Sequence, residues 1–209
     1  MVTEAEGEGA VRLARSALRV GIPLPSGRDV AAEFRSAELP PIFEEPRGVF
    51  VTLRRTGSGA LRGCVGFPSP VYPLRSAIPR AAVAAAVEDP RFPPVRLEEL
   101  DAVEIDVSIL TVPQVIAADS PDELAARVEV GRHGLIVGRA GASGILLPQV
   151  AEEYGWSAIE FLEATCEKAG LAPDDWRRPG TTVRTFAAEV FEESSPGGPV
   201  HRVPLGGSG

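Results

Sequence analysis

Cys64 sits in the stretch Leu61-Arg62-Gly63-Cys64-Val65-Gly66, one of only two cysteines in the chain. A thiol attacks as the thiolate, and a nearby permanent cation favours that form. If residues 60–66 are extended, side chains alternate faces, so Arg62, Cys64 and Gly66 share one side. The sulfur and the guanidinium then stand about 7 Å apart along the strand. Gly66 leaves an empty place beside the sulfur, and Gly63 lets a backbone or a ligand come close. These meet two requirements of a nucleophilic cysteine; an orienting base must come from elsewhere. The alternative is packing. Cysteine is often a small buried hydrophobe, glycine in a strand often marks tight packing or a bulge, and Arg62 can pair with a carboxylate. On spacing alone, packing is the simpler reading.

Other residues could complete such a site. His133, between Arg132 and Gly134 in a turn, could act as the base if the fold brings it to Cys64; otherwise it is an exposed polar group. Asp89 and Arg91 flank Pro90 and read either as a helix stop or as the wall of a groove. Glu104, Asp106 and Ser108 share one face of an extended segment. Two carboxylates there can divide acid and base roles, although the solvated side of an antiparallel sheet is the expected reading. Gln149, after Pro148, could orient a substrate or simply open a helix. Cys166 reads as core, and His201 is set aside as part of the tail. No Cys/His spacing resembles a zinc site, and there is no phosphate-binding loop, dinucleotide fingerprint or serine-hydrolase elbow. No metal and no cofactor is expected.

The elements that must position these residues follow from periodicity and punctuation. Thr3 and Glu6 form a capping box before apolar residues at helical spacing, with Gly7 and Gly9 weakening the start. Residues 48–54 alternate like a strand, 56–59 turn, and 60–67 return as the partner. An alanine-rich helix follows and stops at Asp89-Pro90. VEIDVSIL at 103–110 is a strand with Val103, Ile105, Val107 and Ile109 on one side. Ser120-Pro121-Asp122-Glu123 opens a helix, residues 135–137 and 145–147 extend after turns, and Ser157 with Glu160 caps a helix that Gly170 ends. Residues 181–191 read as a last strand. Strands joined by tight turns with interspersed helices give an α+β class with mainly antiparallel pairing and flanking helices.

The formal net charge of −8 over 209 residues argues against nucleic acid and against an anionic membrane surface as partners. No apolar run reaches membrane-spanning length, the N-terminus lacks a signal-peptide core, and two cysteines cannot build a disulfide framework. A cytoplasmic chain is the expectation. The Gly-, Ser- and Pro-rich residues 192–209 read as a disordered tail.

The stretch LRGCVG, with GVFVTL at 48–53, DPRF at 89–92 and VEIDVSIL, resembles the AMMECR family, whose signature is LRGCIG. So do GRHGL at 131–135, LLPQV at 146–150, Trp156 and KAGL at 168–171. The resemblance spans residues 8–191. It implies one domain over 1–191 with a larger and a smaller subdomain, the smaller placed within about 48–110. It implies association with Memo-like and radical-SAM proteins in a modification pathway, and no settled reaction. The expectation is a ligand-binding or catalytic pocket at LRGCVG, with thiol chemistry at Cys64. The alternatives are a module that binds a small molecule or a protein without catalysis, and, behind it, a nucleic-acid-associated factor.

Overall fold

The computed structural model describes residues 1–24 and 28–204. Helices and two antiparallel sheets make the protein α+β. The chain divides into two compact units, Met1–Leu110 with Glu189–Pro204, and Thr111–Ala188. The smaller unit is thus the later one, and residues 48–110 belong to the larger. The hydrophobic pattern of 48–110 reads equally well as a small sheet of its own. What assigns it is its packing against a helix from the N-terminus and a strand from the C-terminus.

The first unit is built on a five-stranded sheet. Helix α1 (Glu4–Gly21) begins at Thr3, whose side chain and that of Glu6 satisfy each other's backbone N–H groups. The helix therefore starts before the two glycines rather than after them. Gly7 lies against the Phe191 ring, which occupies the place a methyl group would take. β1 (Val49–Arg55) and β2 (Leu61–Phe67) form the expected hairpin. Helix α2 (Leu74–Val87) follows, and β3 (Val103–Leu110) pairs antiparallel with β1. β8 (Ala188–Glu193) and β9 (Val200–Val203) complete the order β2-β1-β3-β8-β9. Val49, Val51 and Leu53 with Ile105, Val107 and Ile109 present one apolar face, and α1 and α2 cover it in a single core. The alanines of α2 let it lie close on that face.

The region expected to be disordered is tied into this sheet as far as Val203. Gly197 turns the chain with φ of 70°, and β9 pairs with β8. β9 then alternates its charges. Arg202 bonds Glu189, Glu4 and the Val2 carbonyl and lies 4.6 Å over the Phe191 ring, while His201 bonds Glu192. Glu189 also accepts the Val2 N–H at 3.1 Å on each oxygen. A short strand anchored by charge pairs carries no hydrophobic periodicity, so composition alone reads it as tail.

The second unit has the sheet order β4-β7-β5-β6, from β4 (Gln114–Val115), β5 (Gly134–Arg139), β6 (Ala142–Leu146) and β7 (Thr182–Phe186). Helices α3 (Pro121–Ala126), α4 (Pro148–Glu153) and α5 (Ala158–Lys168) accompany it. Phe161, Leu162 and Cys166 of α5 pack on Leu135 and Val137 of β5, with Trp176.

Candidate functional site

The antiparallel register puts three cross-strand rows on the face of the first sheet away from α1 and α2. The central one aligns Cys64 with Thr52 and Thr52 with Asp106. On one side of it Arg54 lies opposite Glu104, and on the other Phe50 lies between Gly66 and Ser108. Residues directly opposite on neighbouring strands have their side chains within contact range.

Cys64 is half-buried. Its Sγ accepts a hydrogen bond from the Thr52 hydroxyl at 3.6 Å. The same Thr52 hydroxyl lies against the Asp106 carboxylate and favours its ionised form. Asp106 is 7% exposed, and Arg54 Nε approaches it at 3.4 Å. Burial dominates and pushes its carboxyl up to about 6, with Glu192 adding to the rise and Thr52 and Arg54 opposing it. The solvated polar row expected at Glu104, Asp106 and Ser108 is therefore buried at its middle member. A pocket of about 60 Å³ opens beside Asp106, lined by Arg54, Glu104, Ile105, Glu192 and Glu193.

The thiol itself is pushed above its ordinary value. Burial is the largest cause; the Thr52 hydroxyl lowers it, Asp106 raises it, Arg91 lowers it and Asp89 raises it. Arg62 is not the cation beside the sulfur. The strand register slips between Leu53 and Arg54, so Gly63 pairs with Leu53 and Leu61 with Arg54, leaving Arg62 as an extra, unpaired residue. Such a bulge breaks strict alternation. Arg62 is 2% exposed, and its Nε and Nη2 donate to Glu99 in the turn before β3. The sulfur's positive neighbour is Arg91 instead.

The two glycines of the motif also have occupants. Gly63 lies against the Ala85 carbonyl of α2, so the close approach it permits is that of a backbone. The space at Gly66 is taken by the Phe50 ring and the Val49 carbonyl, so the empty place expected beside the sulfur is filled. Asp89 and Arg91 close the outer edge of β2. Asp89 Oδ2 accepts the Cys64 N–H at 2.9 Å, and Arg91 Nη2 points at the Cys64 carbonyl from 3.5 Å while pairing with Asp89 at 2.7 Å. The Arg91 guanidinium holds the Asp89 carboxyl far below the usual carboxylate range.

His133 and Gln149 belong to the second unit. The His133 ring accepts the Glu129 N–H on Nδ1 at 3.1 Å, and burial pushes its pKa down, so it is a neutral, hydrogen-bonded turn histidine. Gln149 is exposed in the first turn of α4. Thr52, Asp106 and Glu192 are the members of the Cys64 surroundings that reading the motif alone passes over. The alternation of 103–110 places Asp106 on the correct face, and the hairpin register places Thr52 opposite Cys64.

The AMMECR1 family model matches residues 11–191. The chain belongs to the AMMECR1 family. A Thermococcus gammatolerans protein is 52% identical over 202 residues, covering 95% of this chain and 96% of that one. A Pyrococcus furiosus protein is 50% identical over 202 residues, covering 95% and 93%. The crystal structure of the uncharacterized protein PH0010 from Pyrococcus horikoshii superimposes with a TM-score of 0.78 at 47% identity, covering 98% of this chain and 99% of that one. Membership in the AMMECR1 family covers both compact units. No helix among the described residues is long and apolar enough to cross a membrane.

Proposed function

We propose that the polar face of the first unit's sheet is a thiol-dependent site, at which Cys64 attacks an electrophilic carbon and Asp106 takes its proton through Thr52. The observation that carries this reading is the row of thiol, hydroxyl and buried carboxylate on three adjacent strands. A thiol held in its protonated form needs a base at the moment of attack. As the sulfur–carbon bond forms, the Thr52 hydroxyl turns from the sulfur to Asp106, so that the thiol proton passes to the Thr52 oxygen and the hydroxyl proton to Asp106. The leaving group departs with its bonding electron pair and recovers that proton from Asp106. A carboxyl titrating near 6 is ionised at neutral pH and still basic enough to accept a proton transiently. Arg91 and Glu104 flank the row as binding groups; Arg62 is engaged by Glu99 instead.

The raised thiol favours a second reading, in which the same face binds a small molecule or a protein without covalent chemistry. Alkylation of Cys64 by iodoacetamide across pH, followed by mass spectrometry with buried Cys166 as internal reference, separates the two. The thiol reading expects a rate component that appears near pH 6, below the ordinary thiol range, and disappears in Thr52→Val and Asp106→Asn. A single component at or above the free-thiol value of about 8.5 in all three proteins overturns it and leaves the binding reading.

A further inference from the structure

Where the leaving group takes no proton, as iodide takes none, the proton left on buried Asp106 needs another acceptor, and the structure continues the row beyond it. Glu192 of β8 lines the same small pocket as Asp106 and acts on its charge. Glu192 lies opposite His201 of β9, and its Oε1 is 3.0 Å from His201 Nε2. His201 Nδ1 is held by Ser194 Oγ at 3.2 Å. The ring is exposed to solvent, and its side chain is half open. Thiol, hydroxyl, carboxylate, carboxylate and imidazole thus follow one another across all five strands.

We infer that His201 is a second acid–base group of the Cys64 site, linked to Asp106 through Glu192 and exchanging the site's proton with solvent. This inference rests on the thiol-site reading. Its physics is a chain of neighbours. Asp106 is faced by Arg54 from β1, by Cys64 from β2, by Glu104 on its own strand and by Glu192 from β8, while Glu193 turns to Arg15 on the other face. Among these, Glu192 bonds a solvent-exposed imidazole, a side chain that can carry a proton. Protonated His201 neutralises Glu192 and so eases ionisation of Asp106. Neutral His201 leaves the Glu192 charge to hold the proton on Asp106.

The test is the pH profile of Cys64 alkylation by iodoacetamide in Glu192→Gln and His201→Gln, with exposed Glu98→Gln as the charge control. Removing the Glu192 charge should move the low-pH inflection down by about half a pH unit, the effect of one charge at short range through a water-like medium. Removing His201 should move it up, and Glu192→Asp should restore the wild-type position. NMR of the His201 ring should show its Nε2 environment change in Glu192→Gln, because its carboxylate partner is lost. Profiles for Glu192→Gln and His201→Gln that superimpose on wild type, while Asp106→Asn still removes the low component, overturn the inference and leave the thiol site intact. A profile unchanged in Asp106→Asn overturns the thiol site itself.

Discussion

Asp106→Asn should make this protein more stable at neutral pH. The Asp106 carboxyl is pushed from an ordinary 3.8 to about 6 by burial. At ~1.4 kcal/mol per pH unit, ionising it inside the fold costs about 3 kcal/mol more than in the unfolded chain. The sign follows from which state holds the proton more tightly. Below about pH 4 the carboxyl is protonated folded or unfolded, and the full contribution is present. Between about 4 and 6 the native protein keeps a proton that the unfolded chain releases, so rising pH withdraws that stability. Above the folded value it is gone. Asparagine keeps the shape and an acceptor for Thr52 but cannot ionise. It also loses the contact with Arg54, whose side chain is 47% exposed, so that loss is about 0–1 kcal/mol. The stability difference, variant minus wild type, should therefore climb by about 2–3 kcal/mol from pH 4 to pH 8.

Urea unfolding at a series of pH values measures this difference. Both tryptophans, Trp156 and Trp176, lie in the second unit. Their fluorescence reports the wrong unit, so hydrogen exchange of the β3 amides is the appropriate probe. A variant and a wild type whose stabilities run parallel from pH 4 to 8 would refute the buried, strained carboxylate. A variant that loses ground as pH rises would show that the fold prefers Asp106 ionised, and its role as a base would fall with it.

Three further outcomes follow from the same surroundings. Gly63→Ala should destabilise the first unit by about 3 kcal/mol in a thermal or chemical melt, because the new methyl meets the rigid Ala85 carbonyl of α2 rather than a mobile side chain. Arg15→Ala should cost about 3–5 kcal/mol in the same melts. Arg15 Nε bonds Glu193 at 2.7 Å, and the Glu193 side chain has no exposure, so removing the arginine strands a buried charge. Asp89→Ala should cost about 1–3 kcal/mol at neutral pH by orphaning the Cys64 N–H. That deficit should shrink as pH falls through the depressed folded value of Asp89, since its stabilisation exists only while the carboxyl is ionised.

What the sequence discloses here is whatever is local. The Thr3–Glu6 and Ser157–Glu160 capping boxes, the hairpin turned at residues 56–59 and the alternation of residues 103–110 all appear where periodicity and punctuation put them. The candidate site is legible only in part, because its decisive relations cross strands. Strict alternation places Arg62 beside Cys64, and one bulge residue undoes it, with no residue type announcing the slip. The space at Gly66 is visible in the sequence; the Phe50 ring that fills it comes from the opposite strand. Asp106 can be assigned to a face, but its burial depends on Thr52, Arg54 and Glu192 arriving together. The Gly- and Pro-rich surroundings of His201 read as a tail, yet β9 is held by Arg202 and His201 themselves.

The LRGCVG strand therefore divides its duties between two faces and an edge. Gly63 serves the packing of α2, Gly66 serves the Phe50 ring, and Arg62 serves Glu99. Asp89 and Arg91 satisfy the outward N–H and carbonyl of Cys64, so this edge is closed to a further strand there. Once those roles are assigned, Cys64 alone has a side chain whose hydrogen bond leads inward across the sheet. A purely structural cysteine would be served better by an apolar neighbour than by a hydroxyl backed by a carboxylate, because burying that carboxylate costs the fold stability at neutral pH. The row carries an energetic penalty that packing does not require, and that penalty is the physical reason to look for chemistry there.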